Sequence, residues 1–323
     1  MNGGSPSSTA AVVALAVTLD LLVGDPPNRW HPVAWVGQLL GEGRRRTGKG
    51  SPRELLIWGA IVVVGCAALA GFIAWVVGRL GDALGPAGVI LEAIALKLSI
   101  SIRDLAEACR SVSLALRSGD LEEARRLVGY HLVSRPTADL QHSEVASAAI
   151  ESAAENLTDA FAGPLVCYLV FGLAGAYVYR TVNTADAMFG YRGGELEYFG
   201  KVCARMDDIM NLIPARISAM WIAGSACLVG ASTRGSWRGM LRDHRRTASP
   251  NAGWTMSAMA GALGVTLEKR GAYRLGEGRE PGPVDVDRSA RLMLVAATSI
   301  TAVVAGCLLL RACWVEGFFL LAR

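Results

Sequence analysis

Apolar residues in this chain run in long uninterrupted blocks rather than in amphipathic stripes. Leu55 to Val77 is 23 residues without a charge, and Leu292 to Leu310 is another 19. A helix rises about 1.5 Å per residue, so about 20 such residues cross the roughly 30 Å hydrocarbon core of a membrane. Thr9 to Val23, Phe161 to Tyr179 and Ile209 to Gly230 are further apolar segments. Leu84 to Leu98 is shorter and interrupted by Glu92 and Lys97, which suits either a marginal span or a helix buried against the others. The pattern predicts an all-α, polytopic membrane protein with about five to six apolar helices, organised as a single integral membrane domain over residues 1–323.

The polar stretches divide this frame. Residues of about 103–160 read as a polar helical insert, with breaks at Gly119-Asp120 and Arg135-Pro136. The following segment, Phe161 to Tyr179, contains Gly163-Pro164, Gly172 and Gly175 and has polar motifs on both sides. A straight crossing would put those motifs on opposite faces of the membrane. A re-entrant helical hairpin would keep them together, and broken backbone is tolerated where protein or a cavity covers it. The stretches of about 24–54 and 232–254 are rich in arginine, and the positive-inside bias makes both of them cytoplasmic loops.

Composition agrees with a membrane chain. Hydrophobic residues make up 52% and charged residues only 19%, against about a quarter in soluble domains. No Lys or Arg precedes the first apolar run, which carries Asp20 and leads into a motif, so a cleaved signal peptide is not expected. The cysteines form no C-x-x-C pair and read as buried, reduced thiols. A net charge of +4 with its basic residues between apolar runs speaks of topology, not of a nucleic-acid partner.

Four constellations could carry chemistry. Glu144, Glu151, Glu155 and Asp159 recur at steps of seven, four and four on one helix face, with no Lys or Arg between Gln141 and Asp159. Either a hard cation such as Mg²⁺ balances them or they form a solvated acidic face on an Ala-rich helix. From Asn183 to Arg216 polar groups press against an apolar segment, where ionisable residues are costly and hence functional candidates. Within that stretch Asp207 shares a helical face with Asn211, and Arg205 with Asp208; an Arg–Asp pair that only fixes packing is the alternative. Gly24-Asp-Pro-Pro-Asn-Arg-Trp-His-Pro-Val33 is a rigid, non-helical turn presenting Asp25, Arg29 and His31, although a histidine beside an aromatic is more often structural. Ser249-Pro-Asn-Ala-Gly-Trp254 reads as a turn opening a tightly packed helix. Gly43 to Gly50 nearly spells a phosphate-binding loop but lacks the Ser/Thr after Lys49, and Asn156-Leu-Thr158 matches a glycosylation acceptor only by pattern.

In order along the chain, these motifs resemble the adenosylcobinamide-phosphate synthase family of cobalamin biosynthesis. The stretches that carry the resemblance are Leu19 to Pro26 with His31-Pro-Val33, Glu151-Ser-Ala-Ala-Glu-Asn156 with Asp159, and Val182-Asn-Thr-Ala-Asp186. Gly190-Tyr191, Tyr198-Phe-Gly200, Ala204-Arg-Met-Asp-Asp208, Asn211, Ile213-Pro-Ala-Arg216 and Ser249 to Trp254 continue it, so that it covers about residues 10–265. The chain departs from the family at Pro136 after Arg135 and at Ala160 after Asp159.

The resemblance implies ATP-dependent amide bond formation between aminopropanol phosphate, or a close amine, and a propionate of adenosylcobyric acid. It implies ATP and Mg²⁺ as cofactors, with the metal on Glu151, Glu155 and Asp159. Asp25, His31, Arg205, Asp207 and Asp208 become the catalytic candidates. In that reading Asp25 or His31 takes the amine proton, Arg205 faces phosphate, and the Asp207-Asp208 pair can join the metal. Arg135, Asn156, Asn183, Asp186, Tyr191, Lys201, Asn211, Arg216 and Asn251 become the substrate-binding candidates. The implied partners are the corrinoid, a small amine phosphate and membrane lipid, with a homo-oligomer left open; the implied location is the cell membrane, with a multi-pass chain and the active site facing the cytoplasm. A polytopic sensor or signal transducer of the same wider family is the alternative, and a transporter also suits polar residues beside broken helices.

Overall fold

The computed structural model describes the backbone of residues 6–191 and 193–321. Arg192, part of the Gly190 motif, lies outside the described residues. The chain folds into α1 (Pro6–Val23), α2 (Pro32–Thr47), α3 (Pro52–Leu84), α4 (Pro86–Lys97), α5 (Arg103–Arg117), α6 (Leu121–His131) and α7 (His142–Leu157). A π-helical turn at Thr158–Ala162 leads into α8 (Gly163–Phe189), followed by α9 (Leu196–Phe199), α10 (Lys201–Met210), α11 (Leu212–Ser225), α12 (Thr233–Asp243) and α13 (Ala252–Leu263). A small hairpin of β1 (Leu267–Lys269) and β2 (Tyr273–Leu275) precedes α14 (Pro283–Leu321). Among the described residues the fold is all-α apart from that hairpin. Among the described residues four helices are long and apolar enough to cross a membrane: Pro52–Leu84, His142–Phe189, Leu212–Val229 and Pro283–Trp314.

Two stretches expected as basic loops are largely helix. In 24–54, α2 occupies Pro32–Thr47, and in 232–254, α12 occupies Thr233–Asp243. The reason is periodicity beneath the charges. Ser236, Gly239, Met240 and Asp243 are the buried positions of α12, at the three- and four-residue steps of one helix face. In α2 the same spacing puts Val36 and Leu40 on one face while arginines fill the last turn. The near P-loop is thereby the C-terminal end of α2, closed by Gly48.

By its contacts the chain forms two compact units, each assembled from separate stretches. The first contains everything up to Ser101, Gly163–Met210 and α14 from Ile300 on. Its helix α3 starts with local signals: Ser51 Oγ accepts from Glu54 N, the Glu54 carboxylate accepts from Ser51 N at 2.8 Å, and Pro52 takes the first helical position. Leu40, Leu55, Val63, Phe189, Phe199 and Cys203 form a core here, with the rings of Phe189 and Phe199 edge to face at 5.1 Å. Ile61, Phe72, Ile73 and Trp75 of α3 face outward, as expected of a helix surrounded by lipid rather than water.

Helix α8 is two arms. Gly172 has φ 70° and ψ −162°, backbone open to glycine and strained for other residues. The arms then run back alongside each other. A Cβ placed on Gly163 would lie 2.0 Å from the Tyr179 ring, although 16 residues of straight helix would separate the two by about 24 Å. Tyr168 on the first arm donates to Glu92 and Tyr177 on the second to the carbonyl of Ala95, both on α4. The apolar segment around Gly172 is thus a helical hairpin, which decides between the two readings that the sequence left open.

The second unit holds Ile102–Ala162 and Asn211–Ser299. Helix α7 is buried on most of its surface, from Val145 through Ala154, because alanines and serines let α5, α13 and β1 close around it. Helix α13 is buried along almost its whole length and packs tightly on α12. Of the cysteines, all reduced, Cys66, Cys109, Cys167 and Cys203 are buried as expected; Cys227, Cys307 and Cys313 are exposed, on outward surfaces of segments apolar enough for a membrane.

Candidate functional site

The residues singled out by chemistry fall in both units. In the second unit the acidic face of α7 is not uniform. Glu144 is paired with Arg270 of the hairpin, Glu151 is almost fully buried, and Glu155 and Asp159 are partly exposed. Asp159 is the second residue of the π-helical turn, a distortion that widens the helix by one residue. Its Oδ1 accepts from Asn211 Nδ2 at 3.1 Å. One turn along α11, Arg216 donates to Asn251 Oδ1 at 3.2 Å and lies over the Trp254 ring at 4.8 Å, so the Ser249 to Trp254 turn and α11 meet through a guanidinium. Asn251 and Asn211 are both almost fully buried. Arg135 sits beside Glu151, with Nη2 3.8 Å from Oε2. Asn156 turns back on its own helix and donates to the carbonyl and the hydroxyl of Ser152 at 3.0 and 3.1 Å.

In the first unit, Asn183 Nδ2 donates to Asp207 Oδ1 at 3.2 Å, and Asn183 Oδ1 accepts from Arg180 at 3.2 Å. Asp186 lies against Gly190, where there is no room for a side chain. Arg205 and Asp208 approach to 3.8 Å, with Arg205 exposed, and Lys201 is also exposed. Tyr191 donates to the carbonyl of Ala187 at 3.0 Å. The chain passes from α10 to α11 between Met210 and Leu212, so Asp207 belongs to the first unit and Asn211 to the second. Asn211 turns to Asp159 while Asp207 turns to Asn183.

The proline-rich turn holds a second centre in the first unit. His31 caps α2, its Nδ1 accepting from Val33 N at 3.2 Å, which leaves Nε2 as the N–H; this nitrogen faces Asp25 Oδ1 at 3.6 Å. Lys97, 5% exposed, pairs with Asp25 and lies 3.6 Å from Asp20, itself 1% exposed. Burial pushes the Asp25 carboxyl up, but His31, Lys97 and Ser101 around it outweigh burial and hold the group well below the usual carboxylate range.

The family model described as CobD/Cbib protein matches residues 13–313. A "Probable cobalamin biosynthesis protein CobD" of Methanothermobacter thermautotrophicus is 42% identical over 295 residues, covering 91% of this chain and 94% of the relative. The chain belongs to the CobD/Cbib family. Two further members of that family are similar along most of their length. A "Cobalamin biosynthesis protein CobD" of Dehalococcoides mccartyi is 39% identical over 84% of this chain and 87% of the relative. A "Probable cobalamin biosynthesis protein CobD" of Methanocaldococcus jannaschii is 36% identical over 86% and 90%. No solved structure matches the chain.

Within this CobD/Cbib chain, sequence reasoning missed Lys97, Asp20 and Tyr273. Lys97 and Asp20 had a signal, since an ionisable residue inside an apolar segment needs a partner. Tyr273 had none: it lies beyond the motifs, and its partner Glu151 is 122 positions away. Among the described residues no three acids, histidines or cysteines gather into a ready metal cage. A Mg²⁺ bound through one or two carboxylates and the phosphates that it accompanies needs no such cage, and Glu155 and Asp159 are carboxylates of that kind.

Proposed function

We propose that this chain works in cobalamin biosynthesis as the membrane amide synthase that joins aminopropanol phosphate, or a close amine, to a propionate of adenosylcobyric acid. One observation carries the reading. The residues through which the chain resembles the adenosylcobinamide-phosphate synthases include the polar groups that turn toward one another in the second unit, Asp159 with Asn211 and Arg216 with Asn251 and Trp254. Helices that only cross a membrane have no use for such a set.

A carboxylate is a poor electrophile, so the reading takes it through activation. The propionate oxygen takes the γ-phosphoryl of ATP, giving an acyl phosphate and ADP. The amine nitrogen then attacks the acyl carbon, the new C–N bond replaces the C–O bond, and inorganic phosphate leaves with that electron pair while the amine gives up a proton. Such transfers need chiefly positioning and charge neutralisation. In this scheme Glu155 and Asp159 hold the Mg²⁺, which neutralises phosphate charge. Arg216 presents its guanidinium to a phosphate oxygen, aligned by Asn251 and Trp254, and Asn211 orients Asp159. Asp25 is too strongly held as a carboxylate to be an effective base, and His31 uses Nδ1 to cap α2; both serve better to shape the turn than to move the amine proton. We place the protein in the cell membrane with this site on the cytoplasmic side.

The test is direct. Protein purified in detergent is incubated with adenosylcobyric acid, aminopropanol phosphate, ATP and Mg²⁺, and mass spectrometry looks for the amide. Product that depends on both ATP and Mg²⁺ is the expected result, and Asp159→Ala should lower its rate by about 10²-fold or more while the protein stays folded. Folded wild-type protein that makes no amide from any of several amine phosphates would sink the enzyme reading in favour of a corrinoid-binding or sensor role.

A further inference from the structure

Glu151 was expected to be a metal ligand, and each of its two oxygens accepts a hydrogen bond from the protein. It lies in the middle of α7, 6% exposed. Its Oε1 accepts from Ser147 Oγ at 2.7 Å and its Oε2 from the Tyr273 hydroxyl at 2.7 Å. Ser147 Oγ accepts in turn from the backbone N–H of Glu268 at 2.9 Å. Both strands of the hairpin are therefore tied to one carboxylate, β1 through its backbone and β2 through a side chain. Burial, and then Glu151 itself, push the Tyr273 phenol above its ordinary value, so it remains a proton donor at neutral pH.

Arg135 completes the cluster from the loop between α6 and α7. Its Nη2 is 3.8 Å from Glu151 Oε2, beyond hydrogen-bonding distance, and its buried Nε has no hydrogen-bond partner. Pro136 restricts Arg135 to extended backbone, so the loop has little freedom to withdraw it. A guanidinium held close to a carboxylate but not bonded to it keeps its fork of donors for another acceptor. Lys269, opposite Tyr273 in the hairpin, is a second cation acting on the same carboxylate. Two cations and unused donors in a fork suit a phosphate dianion better than a neutral ligand.

We propose that Arg135 is the receptor for a phosphate dianion, and that Glu151 and Tyr273 are positioning residues that aim it, with Lys269 adding charge. This deepens the function proposed above by naming the phosphate-recognising part of the site. Glu155, also within electrostatic reach of Tyr273, is the neighbouring carboxylate that would face the cation a phosphate brings. The phosphate comes either from the amine phosphate or from the nucleotide.

Inorganic phosphate is the probe, and the shift in unfolding temperature of the detergent-purified protein is the readout. Wild type should be stabilised saturably. Arg135→Ala should lose that response, and Tyr273→Phe and Glu151→Gln should each weaken phosphate binding by about tenfold. Arg270→Ala, which removes the hairpin's separate 2.7 Å contact to Glu144, should leave it unchanged. Wild type that ignores phosphate, or Arg135→Ala that binds it normally, overturns the proposal. So does a Glu151→Gln variant with normal phosphate affinity and an altered Mg²⁺ requirement, which would return Glu151 to the metal. In the amide assay Arg135→Lys should raise KM for one phosphate-bearing substrate with kcat within about twofold, and which KM rises identifies the source. A fall in kcat alone would remove the binding role. If phosphate binding follows the expected pattern while no amide forms, the receptor stands and the proposed reaction falls.

Discussion

Lys97 carries an ammonium into the interior of the first unit, where Asp20 and Asp25 meet it at the end of a proline-rich turn. An unpaired charge there would be far costlier than the pair, so the three groups stand or fall together. Lys97→Met should lower stability by about 3–5 kcal/mol, because it leaves two carboxylates buried against an alkyl chain. Thermal unfolding in detergent measures this, and a loss below about 1 kcal/mol would show that water reaches the cluster. Asp25 also sets a pH dependence. Its carboxyl is depressed in the folded protein, so its contribution is fully present above the ordinary carboxylate value of about 4 and is lost as pH falls below it. The unfolding temperature of wild type should therefore drop between about pH 4 and pH 3 by more than that of Asp25→Asn. Parallel curves would mean that Asp25 is equally easy to protonate in both states.

The element that most departs from a simple helix is α8. Two of its glycines make the hairpin possible, Gly172 by its positive φ and Gly163 by admitting the Tyr179 ring. Gly163→Val should cost about 1–3 kcal/mol by overpacking, and Tyr179→Ala about 3–5 kcal/mol by leaving a cavity. Combined, the two should cost less than their sum, since the valine enters space that the ring vacates. Strict additivity in unfolding experiments would show that the arms do not touch. The hairpin's presence was legible as a question, because polar motifs flank an apolar segment containing three glycines. Its answer depended on whether the arms pack, and no local propensity encodes that. The arginine-rich stretches hold helix between their apolar neighbours. Their charges suggested loops, while the buried face of α12 at Ser236, Gly239, Met240 and Asp243 made a helix of the segment beneath them.

For the whole molecule the positive-inside bias yields a topology that can be measured. Cysteines introduced one at a time at Arg53 and Arg245, in a variant cleared of its native thiols, should react with an impermeant reagent only after the membrane is opened. Labelling of either in sealed cells would put that segment outside and reverse the assignment of sides. Apolar run length and helical periodicity are written along the chain, because they depend only on what each residue prefers as solvent and on a fixed rise per residue. They sufficed for the all-α membrane class, for α3 and α14, and for the acids of α7 as a set. The ordered motifs likewise placed most of the candidate site residues. What each of those residues does was not legible. Glu151 and Asp159 look alike in sequence, both acids on one face. Only the packing of distant segments separates them, by bringing Tyr273 to the first from 122 residues away and Asn211 to the second from 52. A carboxylate's role follows from which donors reach its lone pairs, and those donors arrive by tertiary contact.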